Sequence, residues 1–179
     1  DGGRLNPPAS PRSADPPLTA AQAFARLLEQ RGVRVTGEPV AGSAGGREIA
    51  RVESPPMSDL VEHMLLVSDN TEADILAHHV GREVLQDATF AGGAKATLRT
   101  LSDLSVDTSG IVLEDGSGLA RANRVSPRQL LDVLHAAMQT DPTTLWPAYT
   151  GLPVAGFDGS LAVRFSAPDL ALTQLTVEV

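Results

Sequence analysis

The chain has 179 residues, of which 42% are hydrophobic and only 3% aromatic, and it carries a formal net charge of -8. That length suffices for one domain with a sizeable core built from Leu, Val, Ala and Ile, while the acidic balance and the lack of a stacking platform argue against nucleic acid as a partner. With no cysteine there is neither a disulfide frame nor a zinc-thiolate site, and no apolar run is long enough to cross a membrane as a helix.

Residues 1–17, with proline at 7, 8, 11, 16 and 17, predict a linker or extended segment, and the opening at Asp1 reads as internal because no basic-then-apolar export signal stands there. Thr19 with Gln22 three residues on has capping-box spacing. It opens a helix whose apolar face is Ala23, Phe24, Leu27 and Leu28, ended by Gly32. Short strands are expected at 33–35 and 48–53, separated by a glycine-rich loop at 39–46. Ser58 is the expected cap of a second helix carrying Leu60, Val61, Met64, Leu65 and Val67, and Ser68-Asp69-Asn70 interrupts it before a third helix resumes through Ala73, Leu76, Val80 and Val84.

Gly92-Gly93 is expected to precede a further helix with Ala94, Leu98 and Leu101 on one side, and Ile111-Val112-Leu113 reads as a strand running into the turn Asp115-Gly116-Ser117-Gly118-Leu119. Ser126-Pro127 is a cap and first-position pair for a helix through Leu130, Leu131, Val133, Leu134 and Met138, stopped at Asp141-Pro142. Loop and short strand around Gly151, Gly156 and Gly159 follow. Leu175, Val177 and Val179 alternate as a terminal strand would, so the pattern as a whole predicts a mixed helix-and-sheet domain.

Ser68-Asp69-Asn70 admits two readings. A serine and an asparagine at a break between helices can project together into a cleft, the hydroxyl relaying a proton and the amide bonding a substrate backbone; alternatively Asp69 or Asn70 simply caps a helix. The 115–119 turn is equally double, suited to close approach of a ligand or to a plain tight turn. It is neither a dinucleotide fingerprint, since Arg121 takes the third glycine position, nor a nucleophile elbow, since Asp115 stands where that motif has glycine. Arg121, Asn123 and Arg124 offer a cationic rim for a carboxylate, and Asp158 in Gly156-Phe157-Asp158-Gly159 reads as a turn residue or an acid. His78 and His79 stand four residues from Asp74 and Glu83, but adjacent histidines leave a helix on different faces, so solvated surface is expected there and at His63 and His135, with no metal site.

These signals, taken together and in order, resemble the penicillin-binding D-alanyl-D-alanine carboxypeptidase/endopeptidase family of low molecular mass (peptidase S13). The residues that carry the likeness are Ser54-Pro55-Pro56-Met57-Ser58-Asp59-Leu60, His63 to Asp74, Asp115 to Asn123 with Val125-Ser126-Pro127, and Leu152 to Leu161 with Arg164-Phe165, within a span of about 16–165. The resemblance implies an α/β transpeptidase or β-lactamase-like sheet flanked by helices, with a helical subdomain, incomplete in this chain. It implies an exported, periplasmic or envelope-associated enzyme that hydrolyses peptidoglycan stem peptides through an acyl-enzyme, is acylated by β-lactams and needs no cofactor. Ser68 and Asn70 match the second family motif as catalytic residues, with Asp115, Ser117, Arg121 and Asp158 expected to bind substrate.

The other two family motifs are missing. The single lysine, Lys95, has Gly92 where Ser-x-x-Lys needs serine and Ala96 where Lys-Thr-Gly needs threonine. The nucleophile segment would fall before Asp1, and residues 166–179 are left unassigned. The chain alone is therefore expected not to acylate, and a non-catalytic peptidoglycan-binding scaffold is the rival reading.

Overall fold

A computed structural model describes residues 13–42, 45, 47–139 and 145–165, and the chain divides into two compact units, Asp1–Glu53 and Ser54–Val179. In the first unit, helix α1 spans Pro16–Gln30. The two prolines expected to keep this stretch extended instead open the helix, because the first helical positions have no intrahelical use for an N–H. Asp15, not Thr19, is the cap: its carboxylate accepts from Leu18 N at 3.1 Å, while the Thr19 hydroxyl donates to the Asp15 carbonyl at 2.8 Å. Gly32, at φ +80, ends the helix as expected. The strands expected at 33–35 and 48–53 are irregular segments; Ile49 and Val52 are 90% and 96% exposed, and strand-forming composition without a pairing partner makes no ladder.

The second unit contains α2 (Met57–Val67), α3 (Asn70–Leu85), α4 (Phe90–Asp103), α5 (Pro127–Gln139), a single turn α6 (Pro147–Thr150) and a 3-10 turn at Gly159–Leu161. Helix α2 begins one residue before Ser58, whose hydroxyl bonds Asp59 at 3.0 Å instead of capping. Gly92 and Gly93 lie inside α4, which Thr89 caps by accepting from Gly92 N at 3.0 Å. They are there for contact. A Cβ on Gly93 would meet the Ala77 carbonyl oxygen at 2.8 Å, and one on Gly81 would meet Gly93 N at 2.7 Å, so α3 and α4 touch backbone to backbone. Ala94 and Ala96 of α4 are buried, as are Val106, Ile111 and, on α5, Ala137.

Ser126 caps α5 as the sequence predicts, and the cap is reciprocal: Gln129 N donates to the Ser126 hydroxyl at 3.2 Å and Ser126 N to Gln129 Oε1 at 3.0 Å. The buried Gln129 amide also donates to the Asp107 and Ser109 carbonyls at 3.2 and 2.9 Å, tying α5 to the loop after α4. The expected strand at 111–113 is a single antiparallel bridge, Val112 to Arg124. Among the described residues β pairing goes no further than this bridge, so the expected sheet is not present among them; the helix stop at 141–142 and the strand at 170–179 lie outside those residues.

Candidate functional site

Ser68-Asp69-Asn70 is the joint between α2 and α3. Ser68 ends α2 in a left-handed conformation, φ 59 and ψ 51. Asp69 then caps α3, one carboxylate oxygen accepting from Thr71 N at 2.9 Å and from Glu72 N at 3.0 Å, and Asn70 is the first helical residue. The capping role thus falls on the central residue, whereas the Ser68 hydroxyl and the half-buried Asn70 amide make no hydrogen bond among the described residues. Across the joint His63 Nδ1 lies 3.0 Å from Glu72 Oε2.

One face of α3 carries Asn70, Ala73, Asp74 and Ala77, spaced three and four residues apart. The glycine turn sits on that face. Asp74 Oδ1 accepts from Gly116 N at 3.1 Å and Ser117 N at 3.0 Å, and a Cβ on Gly116 would lie 2.5 Å from the Ala77 Cβ. Asp115 organises the turn from within, accepting from Gly118 N (2.9 Å), Ala120 N (2.7 Å), the Asn123 amide (2.8 Å) and the Ser117 hydroxyl (3.2 Å). Burial pushes its carboxyl up, but the bonds from Asn123, Ala120, Gly118 and Ser117 outweigh that and hold it below the usual carboxylate range.

The cationic rim is smaller than the sequence suggests. The Arg124 guanidinium donates to the Arg121 and Asn123 carbonyls, both at 2.7 Å, and the Asn123 amide oxygen accepts from Glu114 N at 2.8 Å, while the exposed Arg121 guanidinium makes no hydrogen bond among the described residues. Asp158 closes its own turn, accepting from Val154 N at 2.6 Å. The next residue, Gly159 at φ +53, rests against α2: its Cβ would meet the Leu66 carbonyl oxygen at 2.2 Å, two residues from Ser68. A groove of about 740 Å³ lies along the other face of α3, lined by Met57, Leu60, Asp69, Ile75, Leu76 and His79 among others, with neither Ser68 nor Asn70 on its wall. His78 packs edge-on against Phe90 at 4.5 Å, and no cluster able to hold a metal occurs among the described residues.

The structure therefore brings Asn70 and the 115–118 turn onto one helix face and sets the Asp158 loop against the last turn of α2. Sequence reasoning gave no site role to Asp74. Its signal was the four-residue step from Asn70, legible only once the partner turn is placed.

Residues 4–176 match the family described as D-Ala-D-Ala carboxypeptidase 3 (S13), a match that runs into the stretch after 165 that sequence reading left unassigned. Carboxypeptidase DacB of Mycolicibacterium smegmatis is 36% identical over 171 residues, covering 94% of this chain and 37% of that protein. D-alanyl-D-alanine carboxypeptidase DacB of Haemophilus influenzae is 32% identical over 149 residues, covering 81% of this chain and 30% of that protein. The crystal structure of penicillin binding protein 4 (dacB) from Haemophilus influenzae superposes with a TM-score of 0.69 at 30% identity, over 84% of this chain and 34% of that one. Its complex with a β-lactam gives 0.67 at 29% identity, over 84% and 36%. The chain thus spans about a third of the length of these relatives, from 30% to 37%.

Proposed function

This chain belongs to the D-Ala-D-Ala carboxypeptidase 3 (S13) family, and from that premise we propose that it is the Ser-x-Asn-bearing part of a serine D-Ala-D-Ala carboxypeptidase or endopeptidase acting on peptidoglycan stem peptides. In the proposed reaction the serine of a Ser-x-x-Lys segment outside these residues attacks the carbonyl of the penultimate D-alanine, the terminal residue leaves with a proton on its amine, and water hydrolyses the ester. Ser68 relays the proton to the leaving amine, and the Asn70 amide bonds the substrate backbone. The exposed Arg121 is the cation for the terminal carboxylate, while Asp115, Ser117 and Asp158 serve the substrate by shaping the two turns beside the joint. β-Lactams acylate the same serine. No cofactor enters, and the reaction takes place in the periplasm or cell envelope, within a transpeptidase-like sheet and helix architecture that the rest of the polypeptide completes.

The observation that carries this reading is the division of labour at the joint: Asp69 takes the cap, and among the described residues nothing occupies the flanking hydroxyl and amide, which supports their use for a ligand. Labelling with a fluorescent penicillin followed by denaturing electrophoresis tests it. The chain alone gives no covalent band, because its single lysine is not in Ser-x-x-Lys; the longer polypeptide that includes it is labelled, and Ser68→Ala slows labelling roughly 10²- to 10⁴-fold. A band on the chain alone refutes its inactivity. A longer polypeptide that binds D-Ala-D-Ala peptide, weakened by Asn70→Ala, yet takes no label favours a scaffold over an enzyme.

A further inference from the structure

We infer that Asp74 is a positioning residue for the reaction proposed above, an inference that rests on that reading: it holds the 115–118 turn on α3 so that the turn and Asn70 form one rigid body. One carboxylate oxygen accepts two successive backbone N–H groups, from Gly116 at 3.1 Å and Ser117 at 3.0 Å, across 42 and 43 residues of sequence. Bonds from backbone N–H to a carboxylate are the strong kind, and two donors converging on one oxygen fix direction as well as distance. Small residues make the approach feasible. Gly116 rests on Ala73 and Ala77, where its Cβ would lie 2.6 Å from the Ala73 carbonyl oxygen and 2.5 Å from the Ala77 Cβ.

The roles of the two carboxylates are distinct. The hydrogen bonds Asp115 accepts all come from residues 117–123, so it sets the shape of the turn. Asp74 sets its place. Asp74 stands four residues after Asn70 on the same helix face, about 6 Å along the axis, so whatever holds the turn to Asp74 holds it at a fixed offset from the Asn70 amide. Ser117 and, beyond it, Arg121 are the groups whose placement depends on this clamp. Asp74 itself is engaged with backbone, and acts through what it positions.

The test uses the longer polypeptide, with the rate of fluorescent penicillin acylation measured well below every variant's melting temperature, alongside hydrogen exchange at the Gly116 and Ser117 amides. Asp74→Ala is expected to lose protection at both amides and to slow acylation roughly 10- to 100-fold, the scale of a misplaced group. Asp74→Asn, whose amide oxygen can accept the same two bonds, stays within about threefold of wild type. If Asp74→Ala fails to fold, Asp74→Ser takes its place, its short side chain reaching one amide at most. A folded Asp74→Ala that acylates like wild type overturns the inference, as does Asp74→Asn as slow as Asp74→Ala, which would make charge the requirement. Absence of label on the wild-type polypeptide would instead fail the carboxypeptidase reading, and this role with it.

Discussion

Gly116→Ala is the sharpest perturbation of the seat beneath the candidate site. Its Cβ would lie 2.5 Å from the Ala77 Cβ and 2.6 Å from the Ala73 carbonyl oxygen, against roughly 3.5–4.0 Å for an ordinary carbon contact. The middle of α3 is held by α4 behind it, so the turn is what yields, by about 1 Å. The bonds from Gly116 N and Ser117 N to Asp74, now 3.1 and 3.0 Å, then open to about 4 Å and cease to be hydrogen bonds. Overpacking costs ~1–3 kcal/mol and each lost bond to the carboxylate ~1.5–3 kcal/mol; because the turn retreats only as far as is cheaper than staying overpacked, about 2 kcal/mol is expected, not the sum. Urea denaturation followed by circular dichroism should show a midpoint lower by about 1 M with an unchanged slope. Gly118→Ala is the control: at φ +79 with nothing within 4 Å of its Cβ, it loses only the ~1–2 kcal/mol of left-handed strain and keeps the Ser117 amide protected. Wild-type stability for Gly116→Ala, with Ser117 still protected from exchange, would refute the reasoning.

Two further outcomes follow from the same geometry. Asp69→Ala removes the acceptor for Thr71 N and Glu72 N; it should lower stability by about 1 kcal/mol and raise exchange at those two amides, and unchanged exchange would count against the cap. At Asp115 burial raises the carboxyl but the four hydrogen bonds win and lower it. A depressed folded-state pKa contributes stability that is present above the unfolded value of about 3.9 and is lost as pH falls through the folded one. Wild type should therefore melt above Asp115→Asn near neutral pH, with the gap closing below about pH 4; a gap that stays constant down the titration contradicts the assignment.

What the sequence made legible was local. The Ser126-Pro127 start of α5 and the resumption of α3 after Asn70 were readable because cap and apolar period lie within a few residues of each other. Proline misled at 16–17, where position within the first turn reverses its meaning. Gly92-Gly93 looked like punctuation because Ala77, which requires the second of them, contributes from another helix, while the first makes room for Asp87 in the turn before α4. The strands at 33–35 and 48–53 had the right composition, but pairing is a non-local property. In the site, Ser68 and Asn70 were visible as a motif. Asp74 was not, since its donors stand more than 40 residues away. Asp115 and Asp158 both precede glycine, and their oxygens accept from backbone N–H groups in their own turns, a habit of aspartate at such positions.

The two ends of Ser-x-Asn rest on different supports. Ser68 terminates α2, whose last turn is seated on Gly159 and whose middle is fixed where the Thr150 hydroxyl donates to Glu62 and Gly151 meets the Glu62 backbone so closely that a Cβ there would lie 2.7 Å from the Glu62 Cα. Asn70 begins α3, seated on α4 and on the glycine turn through Asp74. The link between them is short: Ser68 in a left-handed conformation that costs a non-glycine residue ~1–2 kcal/mol, Asp69 as the cap, and His63 paired with Glu72 at 3.0 Å across the joint. The hydroxyl and the amide are thus placed by two separately built bodies meeting at one residue. Substitutions in 151–161 should be felt first at Ser68 and those in 115–118 first at Asn70, so the proton relay and the substrate binding proposed for them should be open to independent perturbation through residues that touch neither group.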